Sequence, residues 1–443
     1  MSPGGSGAVP GAASGAVPGA ASGTAAEPRI LLYSHDGFGL GHVQRNFNIA
    51  CALVRAVRGA TALLVGGSPH GFDCRLPPGV DWLKLPSVVK QPDGGWAART
   101  LRLGQDGLRR LRAATIAAAV EHYRPRLIVV DHLPTGVLGE LLPVLESCRR
   151  QPDPPRVVLG LRDVLDRPEA IRHQWLRDGA YRAIETLYDR VLIYGDEDIF
   201  PTAEVYGLSG RAPGRLVYCG YVGPAGTRRA ERRVRAELNL LPREKLVLAS
   251  GGGGADAHPL LAACAGAMAR LARRMPLRCV LLTGPLMPER QRHELRRRAA
   301  GLPIEVWWQV EDLPGLLAAA DLTVSMAGYN TLVEGLQARQ RPVVVPRPGP
   351  SAEQTLRAAA FARRGLIHLL PPGRLSGARL AAAIEQGLDA ARPPRTAGPR
   401  LDGLRRVVDE LAALLTERAA APRGPSARGR GRVVLQGAKP RSA

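Results

Sequence analysis

Short apolar runs rich in Val, Ile and Leu alternate along this chain with stretches of helical periodicity, and the whole alternation occurs twice. One such series folds as a parallel sheet with helices over both faces, because parallel strands need crossover connections and bury both sides. In the first half the candidate strands are 29–34, 61–65, 82–85, 127–131, 157–161 and 191–194, with helices expected over 42–57, 97–122 and 169–188. In the second half the strands are 246–250, 279–283, 304–308, 322–325, 343–345 and 366–369. At roughly 100 to 200 residues per domain, a chain of 443 residues accommodates two such units. The expected fold class is α/β, with two doubly wound Rossmann-like domains, 28–220 and 244–395, facing each other across a cleft.

The stretch 221–243 opens on Gly and Pro and turns densely charged, which suits an interdomain connection. Within 396–420, Leu404, Val407, Val408, Leu411 and Leu415 recur at helical spacing, so a last helix should lay one face on a domain. Residues 1–27 contain SGAVPGAA twice in tandem and read as a disordered leader, and 421–443 read as a basic disordered tail.

The formal charge of +22 comes from arginine, since the chain has only four lysines, Lys84, Lys90, Lys245 and Lys439. A solvated arginine-rich face is the plain reading; attraction to anionic lipid headgroups or a phosphorylated acceptor is the functional one. Aromatics make up 4% of the chain and no basic–aromatic module appears, so nucleic acid is not an expected partner. Cys51, Cys74, Cys148, Cys219, Cys264 and Cys279 show no metal-like spacing and fit buried thiols in a reducing compartment. No window approaches the ~18 to 20 apolar residues of a spanning helix, and no signal-peptide pattern opens the chain. The expected location is cytoplasmic, with a peripheral seat on the inner face of the membrane left open.

In open parallel sheets ligands sit beyond the carboxyl ends of the strands, and the unusual residues fall there. After the first strand comes SHDGFGLGH, a glycine-rich turn that places His35 and Asp36 at the strand end and His42 at the helix start. Helix starts favour anions, so this turn can face a ligand. The strand 127–131 ends in Asp131-His132, and the next ends in Arg162-Asp163, where an internal salt bridge competes with an acceptor contact. His42 and Asp131 are the candidate bases; His35, Asp36, His132 and Arg162 are acceptor-side candidates.

The second half carries stronger signals. Gly251, Gly252, Gly253 and Gly254 follow a strand directly, which is costly unless backbone must wrap closely around something. Farther on, Gly328, Tyr329 and Asn330 open a helix after another strand and form a cradle for a pyrophosphate, with Glu334 one turn in. The Pro-rich loop 346–352 leads to Glu353 and Gln354.

At these residues the run VEDLPGLLAAADLTVSMAGYNTLVEGLQARQRPVVVPRPGPSAEQ resembles the donor domain of the family 28-like enzymes that add N-acetylglucosamine to the peptidoglycan lipid precursor, and of related bacterial GT-B glycosyltransferases. The resemblance extends to the Gly251–Gly254 loop and, more loosely, to the turn ending in His42. It implies a GT-B fold, with Val310 meeting the nucleobase through its backbone, Gly328 and Tyr329 the phosphates, Glu334 the ribose and Gln354 the donor sugar. His42 then serves the acceptor side or the leaving diphosphate. The HDGFGLGH turn is longer than the family's, and Tyr329-Asn330 replaces smaller or apolar residues, so sugar and acceptor stay unassigned.

The expected activity is inverting, metal-independent transfer of a sugar from a nucleotide diphosphate donor, with UDP as the expected nucleotide, to a hydroxyl acceptor, either lipid-linked or a small molecule. No cofactor and no metal are called for. The single DxD string, Asp196-Glu197-Asp198, reads as a surface-loop acidic run. Two other readings stay open: a nucleotide-sugar 2-epimerase or hydrolase on the same fold, and a non-enzymatic protein that binds nucleic acid or an anionic surface.

Overall fold

The computed structural model describes residues 27–34, 41–68, 76–91, 95–224, 231–338, 340–390 and 398–417. The proposed leader except Glu27, the tail 421–443, and His35, Asp36 and Cys74 lie outside the described residues.

The first half opens with β1 (Arg29–Ser34), α1 (Gly41–Ala56), β2 (Thr61–Gly66) and β3 (Val80–Lys84), followed by a small antiparallel ribbon of β4 (Val88–Lys90) and β5 (Trp96–Ala98). Then come α2 (Gln105–Tyr123), β6 (Leu127–Asp131), α3 (Leu141–Arg149), β7 (Arg156–Arg162), α4 (Pro168–Arg177), α5 (Ala180–Leu187), β8 (Arg190–Tyr194), α6 (Thr202–Val205) and β9 (Leu216–Tyr218). Seven of these strands form one parallel sheet in the order β3-β2-β1-β6-β7-β8-β9.

After α7 (Glu231–Glu237), the second half runs β10 (Lys245–Ser250), α8 (His258–Leu271), β11 (Leu277–Leu282), α9 (Glu289–Ala299), β12 (Ile304–Trp307), α10 (Leu313–Ala319) and β13 (Leu322–Ser325). It continues through α11 (Tyr329–Gln337), β14 (Val343–Val344), α12 (Glu353–Arg363), β15 (His368–Leu369) and α13 (Gly377–Asp389) to α14 (Gly403–Thr416). Its parallel sheet has the order β12-β11-β10-β13-β14-β15.

Two expected helices differ. The one predicted from residue 97 starts only at Gln105, because Trp96–Ala98 pairs with Val88–Lys90. The one over 169–188 breaks in two at Gly179, whose φ of +67° is left-handed backbone that a helix interior does not allow.

The last helix, α14, turns Val407, Val408, Leu411, Leu414 and Leu415 inward. It lies against α1, in one apolar cluster with Leu32, Ile49 and Leu53 of the first sheet's layer. The same cluster takes in Tyr221, Tyr329, Leu332 and Phe361, so apolar contact is continuous from one half to the other. Cys148, Cys219, Cys264 and Cys279 are free thiols, and all four are buried, as is Cys51.

Candidate active site

Each sheet reverses its strand order at one place, between β1 and β6 in the first and between β10 and β13 in the second. Such switch points open a crevice at the carboxyl ends of the strands. At the first sit His42 and Asp131; at the second sit the Gly251–Gly254 loop and the start of α11. The two crevices face each other: Asn330 Nδ2, on the first turn of α11, donates to the Gly41 carbonyl at the first residue of α1, at 3.4 Å.

On the first side, Asn46 ties α1 to the end of β1 by donating from Nδ2 to Tyr33 O at 3.1 Å and to Ser34 Oγ at 2.9 Å. That anchor sets His42 one turn earlier against the last residue of β6. The His42 Nδ1–H donates to Asp131 Oδ2, and Arg45 Nη2 donates to Asp131 Oδ1 at 2.5 Å. Asp131 is fully buried, and His42 is 7% exposed. The ring of His132 lies 5.1 Å from that of His42, on backbone with φ of +70°, a region β-carbon sterics disfavour. Asp131, His132 and His42 are thus brought together as expected from their strand and helix ends.

On the second side, the glycines are required by the backbone around them. Gly252 and Gly254 have φ of +60° and +94°, and a Cβ on Gly254 would collide with the Thr283 carbonyl. The loop lies over the start of α11, where a Cβ on Gly252 would be 3.5 Å from Thr331 Oγ1. Gly284, at φ of +80°, packs its backbone on Gly252 and Gly253. This Thr283-Gly284 turn after β11 completes the loop pair, yet an isolated Gly drew no attention in the sequence.

Glu334 follows one turn into α11. Its carboxyl is half-buried, has no hydrogen-bond or ion-pair partner among the described residues, and is pushed up to about 7 by desolvation. Gln354 Oε1 accepts from the Arg347 backbone N–H at 3.0 Å, and Arg347 Nη1 donates to Asp256 at 3.0 Å, linking the Pro-rich loop to the glycine loop. Val310 is half-buried after β12 and lines a cavity of about 250 Å³ with Trp307, Glu305, Arg278 and Leu316. The Tyr329 side chain faces away from solvent: its hydroxyl accepts from the Val222 N–H at 2.9 Å and its ring packs on Tyr221. Only the backbone of Tyr329 remains to meet a phosphate.

Arg162 and Asp163 have internal partners. Arg162 Nη1 donates to Glu353 Oε1 at 2.8 Å, and Arg357 Nη1 donates to the same oxygen at 2.8 Å. Arg357 also donates from Nε and Nη2 to Asp163, at 3.1 and 2.7 Å, and from Nη1 to the Ala327 carbonyl. Burial disfavours the Glu353 charge, but Arg162 and Arg357 beside it outweigh that and hold its carboxyl below the usual range. These pairs run from the end of β7 to α12, across the two halves. Asp196 corrects an expectation: it is no surface-loop acid but 5% exposed, accepting from the Arg400 N–H at 2.9 Å and its guanidinium at 3.1 Å.

Among the described residues no helix is long and apolar enough to cross a membrane.

Residues 247–400 match the model of the glycosyltransferase family 28 C-terminal domain. Over 333 residues the chain is 31% identical to the UDP-N-acetylglucosamine--N-acetylmuramyl-(pentapeptide) pyrophosphoryl-undecaprenol N-acetylglucosamine transferase of Mycobacterium bovis, covering 73% of each chain. The enzyme of the same name from Azotobacter vinelandii is 34% identical over 212 residues, 42% of this chain and 56% of its own. Among solved structures, Acinetobacter baumannii MurG superposes with a TM-score of 0.53 at 15% identity, covering 88% of this chain and 98% of that one. A UGT transferase from Siraitia grosvenorii in complex with UDP gives a TM-score of 0.55 at 13% identity over 87% and 94% of the two chains. Those structural likenesses carry the overall fold of two facing α/β units.

Proposed function

The chain belongs to glycosyltransferase family 28, and from that membership we propose that its GT-B cleft moves a sugar from a UDP-sugar onto a hydroxyl of a lipid-linked acceptor, with inversion and without a metal. That it is a nucleotide-sugar glycosyltransferase follows from the family; the nucleotide, the acceptor and the roles of single residues are the proposal. The observation that carries it is the pairing of His42 with Asp131 directly opposite the start of α11.

His42 gives its Nδ1 proton to the bond with Asp131, which leaves Nε2 as the acceptor of a proton from the attacking hydroxyl. The acceptor O–H bond breaks to His42 Nε2 as its oxygen bonds to the anomeric carbon. The bond from that carbon to the diphosphate oxygen breaks on the opposite side, and the electron pair leaves with the diphosphate. Asp131 stabilises the imidazolium so formed. The charge growing on the diphosphate is met by the N–H groups at the start of α11 and in the Gly251–Gly253 loop, which need no reorganisation as the reaction proceeds. Glu334 accepts from the ribose hydroxyls, Val310 meets the base through its backbone, and Gln354 contacts the sugar.

Contact with an anionic membrane surface suits a lipid-linked acceptor. Leu101, Leu103 and Leu111 are 46%, 43% and 42% exposed, Leu103 lies against Gly107 one turn before Leu111, and Arg99, Arg102 and Arg110 stand exposed beside them. Leu103→Ser/Leu111→Ser should reduce co-sedimentation with anionic vesicles; unchanged binding would remove this face from the proposal.

The activity test is product analysis with labelled UDP-N-acetylglucosamine, UDP-glucose and UDP-galactose, each with and without a polyprenyl-diphosphate saccharide. Label in the lipid fraction supports the reading. Transfer that ignores UDP-sugars and proceeds with dTDP- or GDP-sugars would overturn it.

A further inference from the structure

The acceptor-side pair has a third member that its chemistry alone does not call for. Arg45 sits one turn after His42 on α1 and is 2% exposed. Its Nη2 bonds Asp131 Oδ1 at 2.5 Å, while Oδ2 of the same carboxylate takes the His42 bond, and Nη2 stands 3.1 Å from His42 Nδ1. The guanidinium lies 5.3 Å from the ring of Tyr194, at the end of β8, and 5.4 Å from the ring of Tyr329, the first residue of α11. Burial works against its charge, but Asp131 and the two tyrosines outweigh that and hold the guanidinium above its ordinary value.

Resting on the reading of His42 as the base, we propose that Arg45 is a positioning residue of the transfer reaction: it fixes the Asp131 carboxylate with one oxygen toward His42, and its charge keeps the imidazole neutral at the working pH. Asp131 alone would have the opposite effect on the second count. A buried carboxylate favours imidazolium, and an over-stabilised imidazolium cannot accept a proton. A guanidinium on the other carboxylate oxygen offsets that field, and between two aromatic rings, away from water, its influence is weakly screened. Among the described residues, the charged and titratable groups facing the pair include Arg45 on α1, His132 after β6, Arg162 on β7, Tyr194 on β8 and Tyr329 on α11; Arg162 acts electrostatically on both Arg45 and Asp131.

Arg45 is a like charge to the imidazolium, so its removal raises the proton affinity of the His42–Asp131 pair. The neutral base then appears only at higher pH. A like charge within about 4 to 6 Å shifts a pKa by roughly one unit or more. The test is the pH profile of kcat/KM with UDP-N-acetylglucosamine as donor for the full chain, Arg45→Lys, Arg45→Met and His42→Gln. It is paired with an NMR titration of the histidine rings, in which His42→Gln assigns one resonance among nine. The acid limb of Arg45→Met should move up by about one pH unit, with the His42 resonance moving alike, and Arg45→Lys should stay within a few tenths of the parent. If Arg45→Met turns over too slowly to profile, the NMR titration decides. An unmoved His42 titration, or equal shifts in the Lys and Met variants, overturns the role of the charge. Near-normal turnover of His42→Gln fails the base reading itself, a result distinct from either.

Discussion

Arg357 on α12 closes a two-pronged bond onto Asp163 at the end of β7, with Nη2 to Oδ1 at 2.7 Å and both groups buried, so one ion pair joins the second half of the chain to the first. Its neighbours extend the join: Arg162 to Glu353, and the Ala352 N–H to Asp166 Oδ1 at 2.8 Å. The cleft is bordered by a fixed set of charges.

Breaking that pair from one side should therefore be costly. Arg357→Met leaves Asp163 buried without its cation, while Glu353 keeps Arg162, and removing one partner of a buried pair costs about 3 to 5 kcal/mol. Adding Asp163→Asn should recover part of the loss, because no buried charge is then orphaned at that position. Denaturant unfolding of the three proteins measures this; a single variant within about 1 kcal/mol of the parent would contradict the account.

On the ribose role proposed for Glu334, nucleotide binding should depend on pH with a definite sign. A carboxyl raised to about 7 is half protonated near neutrality, and ribose hydroxyls donate to the ionised form. UDP affinity should rise as pH increases through about 7 and flatten above it. By the same linkage the free protein loses stability as pH rises from the ordinary carboxylate range to that value, since the native state holds the proton more tightly than the unfolded chain. Glu334→Gln should abolish the slope, and Glu334→Ala should weaken UDP binding by about 1.5 to 3 kcal/mol. Calorimetry at pH 6, 7 and 8 reads both, and a parent affinity independent of pH would remove the ribose role.

His42→Ala should cut turnover by at least about a hundredfold, the low end of general-base losses, with little change in UDP affinity. Loss of UDP affinity in that variant would move His42 to the donor phosphates instead. Near-normal turnover would shift the base to Asp131 or His132.

Transfer should survive EDTA. The single DxD string, which begins at Asp196, has its first carboxylate bonded to Arg400 and to the Asp198 N–H. Activity lost on chelation and restored by magnesium or manganese would mean that the diphosphate is held differently.

Strand ends were the legible part of this molecule. Apolar runs bounded by Gly, Asp or His mark where a parallel strand stops, so His42, Asp131, the Gly251–Gly254 loop and Gly328–Asn330 could be grouped before any coordinates. Arg45 and Arg357 could not. Their partners are distant in sequence, Asp131 and Asp163, and an arginine inside a helix of an arginine-rich chain looks like any solvated one. Tyr329 was readable as a helix start but not as the ring between Arg45 and Arg357, because side-chain direction across a cleft depends on how the halves dock. The ribbon that shortens α2 was missed because three-residue strands carry too little periodicity to register.

The return of α14 to the first sheet has a bearing on biosynthesis. Leu411 and Val407 cover the same layer as Ile49 and Leu32, so the N-terminal core stays open until α14 has left the ribosome. The second sheet, contiguous in sequence, can assemble while its elder neighbour still waits for that lid. Premature termination before residue 403 would release a protein with an intact second sheet and an uncovered apolar flank on the first. Such a product is a substrate for chaperones and proteases rather than a half-working enzyme.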